Sequence, residues 1–192
     1  MLLLFAASSA LAADPSPSSA ALSAAALSSA EWAQLREGEV VVHADTSGAD
    51  TVSTGWVLVD KASAPFWHDV LDLKARIPEN GTLRDIEEYK RLSAHEWFVR
   101  VDMEVFGLDV QFTNHWICAG DTCSYTLDPE RENDLTRCDG YFRVQEVEGQ
   151  SLLTYYSASR HRVVVPGWAR RWLAIDAVQN LLRKLKARAE RG

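Results

Sequence analysis

The segment Glu96–Val105 constrains the fold more than any other part of the sequence. From Trp97 to Val105 every second residue is apolar, and charged residues such as Arg100 and Asp102 stand between them. A period of two is the side-chain repeat of a β-strand that packs one face on a core and turns the other to water. We therefore expect an antiparallel sheet in which the Trp97 side of this strand faces inward.

Similar patterns predict strands along most of the chain. β-branched or aromatic runs occupy 39–45 and 54–60, and a short amphipathic helix begins near Ser63. Further strands are predicted at 82–91, 109–118, 123–127, 137–147 and 151–158. Apolar residues at helical spacing over 166–189 predict one long C-terminal helix. We expect an α+β fold in which a curved antiparallel sheet of about six to seven strands packs on that helix.

The predicted strands and helix assign a set of side chains to the space between the sheet and the helix. Asn114 stands among apolar residues of its strand, and a buried amide needs hydrogen-bond partners. Such a space either binds a ligand or is filled by bulky side chains, and the seven tryptophans fit both alternatives. If it is a cavity, we expect its lining to comprise Trp97, Val99, Val101, Met103, Phe112, Asn114, Trp116, Thr154, Tyr156, Trp172 and Ile175.

The first residues differ in composition from the rest. Residues 1–13 are apolar and end in a small-x-small pattern, which predicts a signal peptide and export to the periplasm or the cell exterior. The basic start of such a signal is missing, so a disordered Ala-rich tail is the alternative. We interpret 14–27 as a low-complexity tether and 28–192 as a single domain with a short N-terminal helix at 28–37. Ser28 and Glu31 have the spacing of a capping box there.

The charge distribution limits the partners. A net charge of −7 argues against nucleic-acid binding through phosphate contacts. From Arg160 onward there are nine Lys/Arg residues, against the acids Asp176 and Glu190. This basic end either contacts anionic lipid headgroups at a membrane surface or forms a solvated helix face.

No residue pattern predicts a metal, a cofactor or a catalytic centre. Cys118, Cys123 and Cys138 lack zinc-site spacing. Cys118 and Cys123 flank a predicted hairpin, which makes a local disulfide plausible, although Cys138 leaves the pairing open. The histidines are scattered, and His115 is expected to point away from the inner face if Asn114 points toward it.

Parts of the chain resemble a known superfamily. Residues 56–72 contain a strand followed by Ala-Pro, Trp and Asp, and this order resembles the opening of START-like proteins. These proteins are also called the SRPBCC or polyketide cyclase/coenzyme Q-binding group. Residues 140–155 and 166–186 are similar to its last strands and final helix. The resemblance covers roughly residues 55–190. Within it, residues 73–81 differ from the superfamily, because this chain is charged where relatives usually have aromatic and proline residues.

The resemblance implies a helix-grip fold and a hydrophobic ligand. Members of the superfamily include lipid carriers, cyclases and hydrolases, so the fold does not determine the function. We expect binding or carriage of a lipid-like or polyketide-like molecule rather than catalysis. The alternative is a cyclase or aromatase that uses cavity groups such as Asn114, Tyr156 or Asp176.

Overall fold

The computed structural model describes residues 27–78 and 81–191 of the 192-residue chain. The predicted signal peptide and all of the predicted tether except Leu27 lie outside the described residues. In chain order the elements are α1 (Ser29–Arg36), β1 (Val41–Asp45), β2 (Thr51–Val59), α2 (Ser63–Leu71), a 3-10 turn (Lys74–Arg76), β3 (Leu83–Ser93), β4 (Glu96–Val105), β5 (Leu108–Ala119), β6 (Thr122–Leu127), β7 (Leu135–Val147), β8 (Gln150–His161), α3 (Gly167–Trp172), a π-helical turn (Leu173–Ala177) and α4 (Val178–Arg191).

In the part of the chain that the structure describes, the strands form one antiparallel sheet of eight, in the order β1-β2-β8-β7-β6-β5-β4-β3. The α+β architecture with a long C-terminal helix confirms the sequence prediction. The number of strands exceeds the predicted six to seven because β1 and β2 join the same sheet. β2 pairs with β8 from Thr51 opposite Ser159 to Val59 opposite Ser151.

The C-terminal helix lies on the concave face of the sheet. Its residues Val178, Leu182 and Leu185 are buried in the main core. Gly55 of β2 lies directly beneath it, and a Cβ at that position would be 2.6 Å from Leu182 Cδ1. A glycine is needed here because the helix approaches the strand so closely.

A second, smaller core lies on the opposite face of the sheet. Leu35 of α1 packs there with Trp56 and Leu152. Ser28 and Glu31 form a capping box at the start of α1, and Leu27 is buried in this core. Leu27, the last residue of the predicted tether, therefore packs against the folded domain. Both faces of β2 are covered, so the neighbouring residues Trp56 and Val57 are buried in different cores.

Within the described part of the chain, no helix is both long enough and apolar enough to span a bilayer.

Candidate ligand-binding cavity

A cavity of about 270 Å³ lies between the concave face of the sheet and the C-terminal helix. Its volume is near the lower bound of about 300 Å³ for typical ligand pockets. The walls come from alternate residues of β4, β5, β7 and β8, from the 3-10 turn, and from the π-helical turn and α4. Of the residues predicted to line a cavity, those on its wall are Val99, Val101, Met103, Phe112, Asn114 and Trp116.

Thr154 and Tyr156 of β8 do not line the cavity, so this part of the prediction is wrong. Thr154 is buried on the other face of the sheet, in register with Trp56. Tyr156 also points to that face and stacks on Tyr141, with 5.5 Å between the ring centroids. The intervening residue Tyr155 lines the cavity instead. Both faces of β8 carry apolar residues, such as Leu152 on one and Leu153 on the other, so alternation could not decide which set faces inward.

Trp172 and Ile175 also lie off the cavity wall, which corrects their prediction. The helix passes through a π-helical turn at Leu173–Ala177, which inserts an extra residue into the helical repeat. Leu173, Ala177 and Val178 line the cavity in their place. Trp172 packs its ring against Phe106 in the β4–β5 turn, with centroids 5.2 Å apart.

Trp97 is on the predicted face of β4 but beyond the cavity. Its ring stacks on Trp116, with centroids 6.1 Å apart, and Trp116 separates it from the cavity. Trp97 lines a neighbouring depression together with Leu71 and Arg91. It therefore fills the core, which was the alternative interpretation of the tryptophans.

One end of the cavity carries polar groups that sequence reasoning missed. The Tyr125 and Tyr155 hydroxyl oxygens are 3.1 Å apart. Arg76 reaches this end from the 3-10 turn, and its Cζ lies 4.9 Å from the centre of the Phe142 ring. Trp116 Nε1 is buried and has no hydrogen-bond partner among the described residues. The wall contains no carboxylate within the described ranges.

Asn114 occupies the middle of the cavity, as its position in β5 predicts. Its side chain is buried, and Nδ2 lies 3.8 Å from Cys138 Sγ. Its Oδ1 has no hydrogen-bond partner among residues 27–78 and 81–191. The amide therefore offers an acceptor to a molecule in the cavity.

Burial shifts the pKa values of the groups on the wall. It raises the pKa of the Cys138 thiol to about 12 and raises the pKa values of the Tyr125 and Tyr155 hydroxyls. It lowers the pKa of His161, with a smaller contribution from the charge of Arg170. At neutral pH the thiol and both hydroxyls keep their protons, and Cys138 is therefore a poor nucleophile.

Two of the residues considered for an enzyme do not face the cavity. Tyr156 lies on the other side of the sheet, and Asp176 is exposed on the C-terminal helix. His115 points away from the cavity, as predicted, and its Nε2 lies 2.8 Å from Glu96 Oε1. His161, which the sequence did not single out, lines the cavity at the end of β8.

Cys118, Cys123 and two basic residues of the C-terminal helix stabilise the scaffold. Cys118 and Cys123 form a disulfide across β5 and β6, which settles the pairing that the sequence left open. Arg170 donates to the carbonyl oxygens of Gly48 and Asp50, and Lys186 donates to that of Leu58 at 2.7 Å. Contact of the basic helix with a membrane stays a prediction. No group of side chains in the described ranges is arranged as a metal site.

No protein-family model and no curated protein matches this sequence. Solved structures do match. A STAR-related lipid transfer protein from Xanthomonas axonopodis is similar with a TM-score of 0.65 and 15% identity, over 78% of this chain and 93% of the other. A START superfamily protein from Mycobacterium smegmatis matches with a TM-score of 0.60 and 18% identity, over 80% and 99% of the two chains.

A bacterial aromatase/cyclase has the same architecture. The Zhui aromatase/cyclase from a Streptomyces species matches with a TM-score of 0.60 and 14% identity, over 74% of this chain and 94% of the other. These identities are low, so the comparisons concern the fold alone. The chain has the START-like helix-grip fold, which it shares with START-domain proteins and polyketide aromatase/cyclases.

Proposed function

We propose that this protein binds and carries a hydrophobic small molecule in the cavity between the sheet and the C-terminal helix. The observation that carries the proposal is the cavity itself, whose wall combines residues such as Val101, Met103 and Phe112 with a few polar groups. Apolar walls with a small number of placed polar groups are typical of sites for small hydrophobic ligands. Structurally similar proteins described as lipid transfer proteins support the same proposal.

A second candidate function is catalysis of the cyclase type on a hydrophobic substrate. It is favoured by His161, which lines the cavity and in its neutral form can accept a proton, and burial lowers the pKa of His161 and so favours that form. Against it, no carboxylate of the described residues reaches the cavity, and the thiol of Cys138 holds its proton. Carriage therefore remains the first candidate.

The test of binding uses a cavity-filling variant. Ala177 lines the cavity from the C-terminal helix, so Ala177→Phe fills part of it. Asn180→Phe places the same side chain at an exposed position of that helix and serves as the control. We expect a fluorescent long-chain fatty acid to bind the unmodified protein and Asn180→Phe with similar affinity, and Ala177→Phe at least about tenfold more weakly.

Equal binding to all three proteins would place the probe outside the cavity and contradict the proposal. Circular dichroism melting curves of each variant show whether the fold is retained. For the catalytic candidate, conversion of a linear poly-β-ketone probe by the unmodified protein and not by His161→Gln would favour an enzyme over a carrier.

We also propose that the protein is exported. The apolar segment 1–13 supports this, and so does the Cys118–Cys123 disulfide, because disulfides persist mainly in oxidising compartments. Fractionation of cells that produce the full chain, with N-terminal sequencing of the product, tests the proposal. Full-length protein found only in the cytoplasm would contradict it.

A further inference from the structure

We propose that the ligand carries an acidic headgroup, a carboxylate or a similar oxyanion, which Arg76 binds at the Tyr125–Tyr155 end of the cavity. This inference rests on the proposed function and specifies the chemical class of the ligand. It follows from the position of Arg76, from the absence of a salt bridge to Arg76 within the described residues and from the groups beside it that can donate hydrogen bonds.

The position of Arg76 is determined by α2. The helix ends at Leu71, and the 3-10 turn at Lys74–Arg76 brings the chain back over the sheet. Arg76 Nη2 donates to the carbonyl oxygen of Val70 in the last turn of α2. The rest of the guanidinium lies over the Phe142 ring on the cavity wall. The side chain is therefore held in place while part of it faces the cavity.

Arg76 forms no salt bridge among residues 27–78 and 81–191, and Asp72 favours its charged form only from beyond salt-bridge distance. Its Nε is buried and without a hydrogen-bond acceptor there. Arg137 shows the usual arrangement in this protein, because its guanidinium binds Asp50 and Asp139. Burial, followed by the repulsive charge of Arg188, lowers the pKa of Arg76 to about 10. The group is thus still charged at neutral pH, and a charge that is largely removed from water without a direct ion pair is unfavourable.

Three uncharged groups near Arg76 can donate hydrogen bonds, two of them hydroxyls that can also accept. The Tyr125 and Tyr155 hydroxyls adjoin each other and keep their protons because burial raises their pKa values. Trp116 Nε1, on the same part of the wall, is a donor only. A cation with several neutral donors suits an oxyanion, and charge-assisted hydrogen bonds from arginine to carboxylates are strong.

A purely structural role explains only part of this arrangement. Arg76 and Arg188 each donate to a carbonyl oxygen in the last turn of α2, those of Val70 and Asp69. That contact uses one N–H group of Arg76 and leaves the buried Nε unexplained. The apolar walls of β4 and β5 then extend from the Arg76 end past Val101 and Met103, where an alkyl or aromatic chain attached to the headgroup fits.

The test compares two probes that differ only in the headgroup. A fluorescent long-chain fatty acid and its methyl ester are titrated into the unmodified protein, Arg76→Met and Arg76→Lys. Arg183→Met, an exposed arginine on α4, is the control. We expect the unmodified protein and Arg183→Met to prefer the acid by about tenfold or more. Arg76→Met loses this preference while its affinity for the ester stays within about twofold, and Arg76→Lys retains part of the preference.

The outcomes separate this inference from the proposed function. If the unmodified protein binds the acid and the ester equally, the inference is wrong and the proposed function stands. If it binds neither, the proposed function fails. An equal loss of both affinities in Arg76→Met assigns the residue a structural role only and overturns the inference. If Arg76→Met does not fold, the inference is judged from the ratio of the affinities for the acid and the ester, compared between the unmodified protein and Arg76→Lys.

Discussion

Replacing Gly55 by alanine tests the contact between the sheet and the C-terminal helix. The new Cβ would lie 2.6 Å from Leu182 Cδ1 and 3.0 Å from Val178 Cγ1. Carbon atoms in contact are normally about 3.5–4.0 Å apart, so the helix or Leu182 must move by about 1 Å. Leu182 is completely buried and cannot turn into open space. Overpacking of this kind costs about 1–3 kcal/mol, which corresponds to a fall in Tm of roughly 2–12 °C for a domain of this size.

The assay is urea unfolding of single and double variants. Gly167→Ala is the matched control, because a Cβ there meets no atom within 4 Å. In a Leu182→Ala background, which itself costs about 2–5 kcal/mol, the clash with Cδ1 is gone. We expect Gly55→Ala to cost at least about 1 kcal/mol less in that background than in the unmodified protein. Additive costs, within about 0.5 kcal/mol, would refute the close approach of the helix to Gly55.

Three further predictions concern the scaffold. Burial raises the pKa of Cys138 to about 12. The stability that the protonated thiol contributes to the folded state is therefore lost as the pH rises from about 9 to 12. In urea unfolding, the free energy of unfolding of Cys138→Ala should fall less over this pH range than that of the unmodified protein. Identical pH profiles of the two proteins would contradict the burial of the thiol. The hydrogen bond from Ser28 lowers the pKa of Glu31 to about 2, so its contribution to stability is lost only as the pH falls from 4.5 toward 2. Ser28→Ala should move the Glu31 titration midpoint, measured by NMR, back toward 4.5, and an unchanged midpoint contradicts the capping box. Replacing Cys118 and Cys123 by serine should lower the free energy of unfolding by about 2 kcal/mol. Reducing the disulfide of the unmodified protein should lower it by the same amount, which checks that the loss comes from the disulfide.

The sequence predicts the sheet well where one face is in water. β4 has charged residues on one side and apolar residues on the other, so its inward set, including Val99 and Val101, follows from alternation alone. β8 lacks this contrast because α1 covers its second face: Leu152 packs with α1 and Leu153 lies in the main core. Which residues of β8 face the main core could not be predicted without knowing that α1 packs on its other face.

The C-terminal helix and the polar end of the cavity show two other features that could not be predicted from the sequence. The positions of Val178, Leu182 and Leu185 follow from a regular helical repeat, but the π-helical turn shifts the phase of every residue before it. Nothing in the local sequence pattern predicts such a turn. Arg76 reaches the cavity only because the 3-10 turn folds back from α2. Its role depends on the packing of elements distant in sequence, so it could be recognised only in the folded structure.

The most direct test of the central claim is a crystal structure of the protein with a bound long-chain fatty acid. The account predicts electron density for the acyl chain between the concave face of the sheet and the C-terminal helix, along Val101 and Met103. It further predicts the carboxylate within hydrogen-bond distance of Arg76. A cavity closed by side chains, or a fatty acid bound only at the protein surface, would contradict the claim that this fold encloses a hydrophobic ligand.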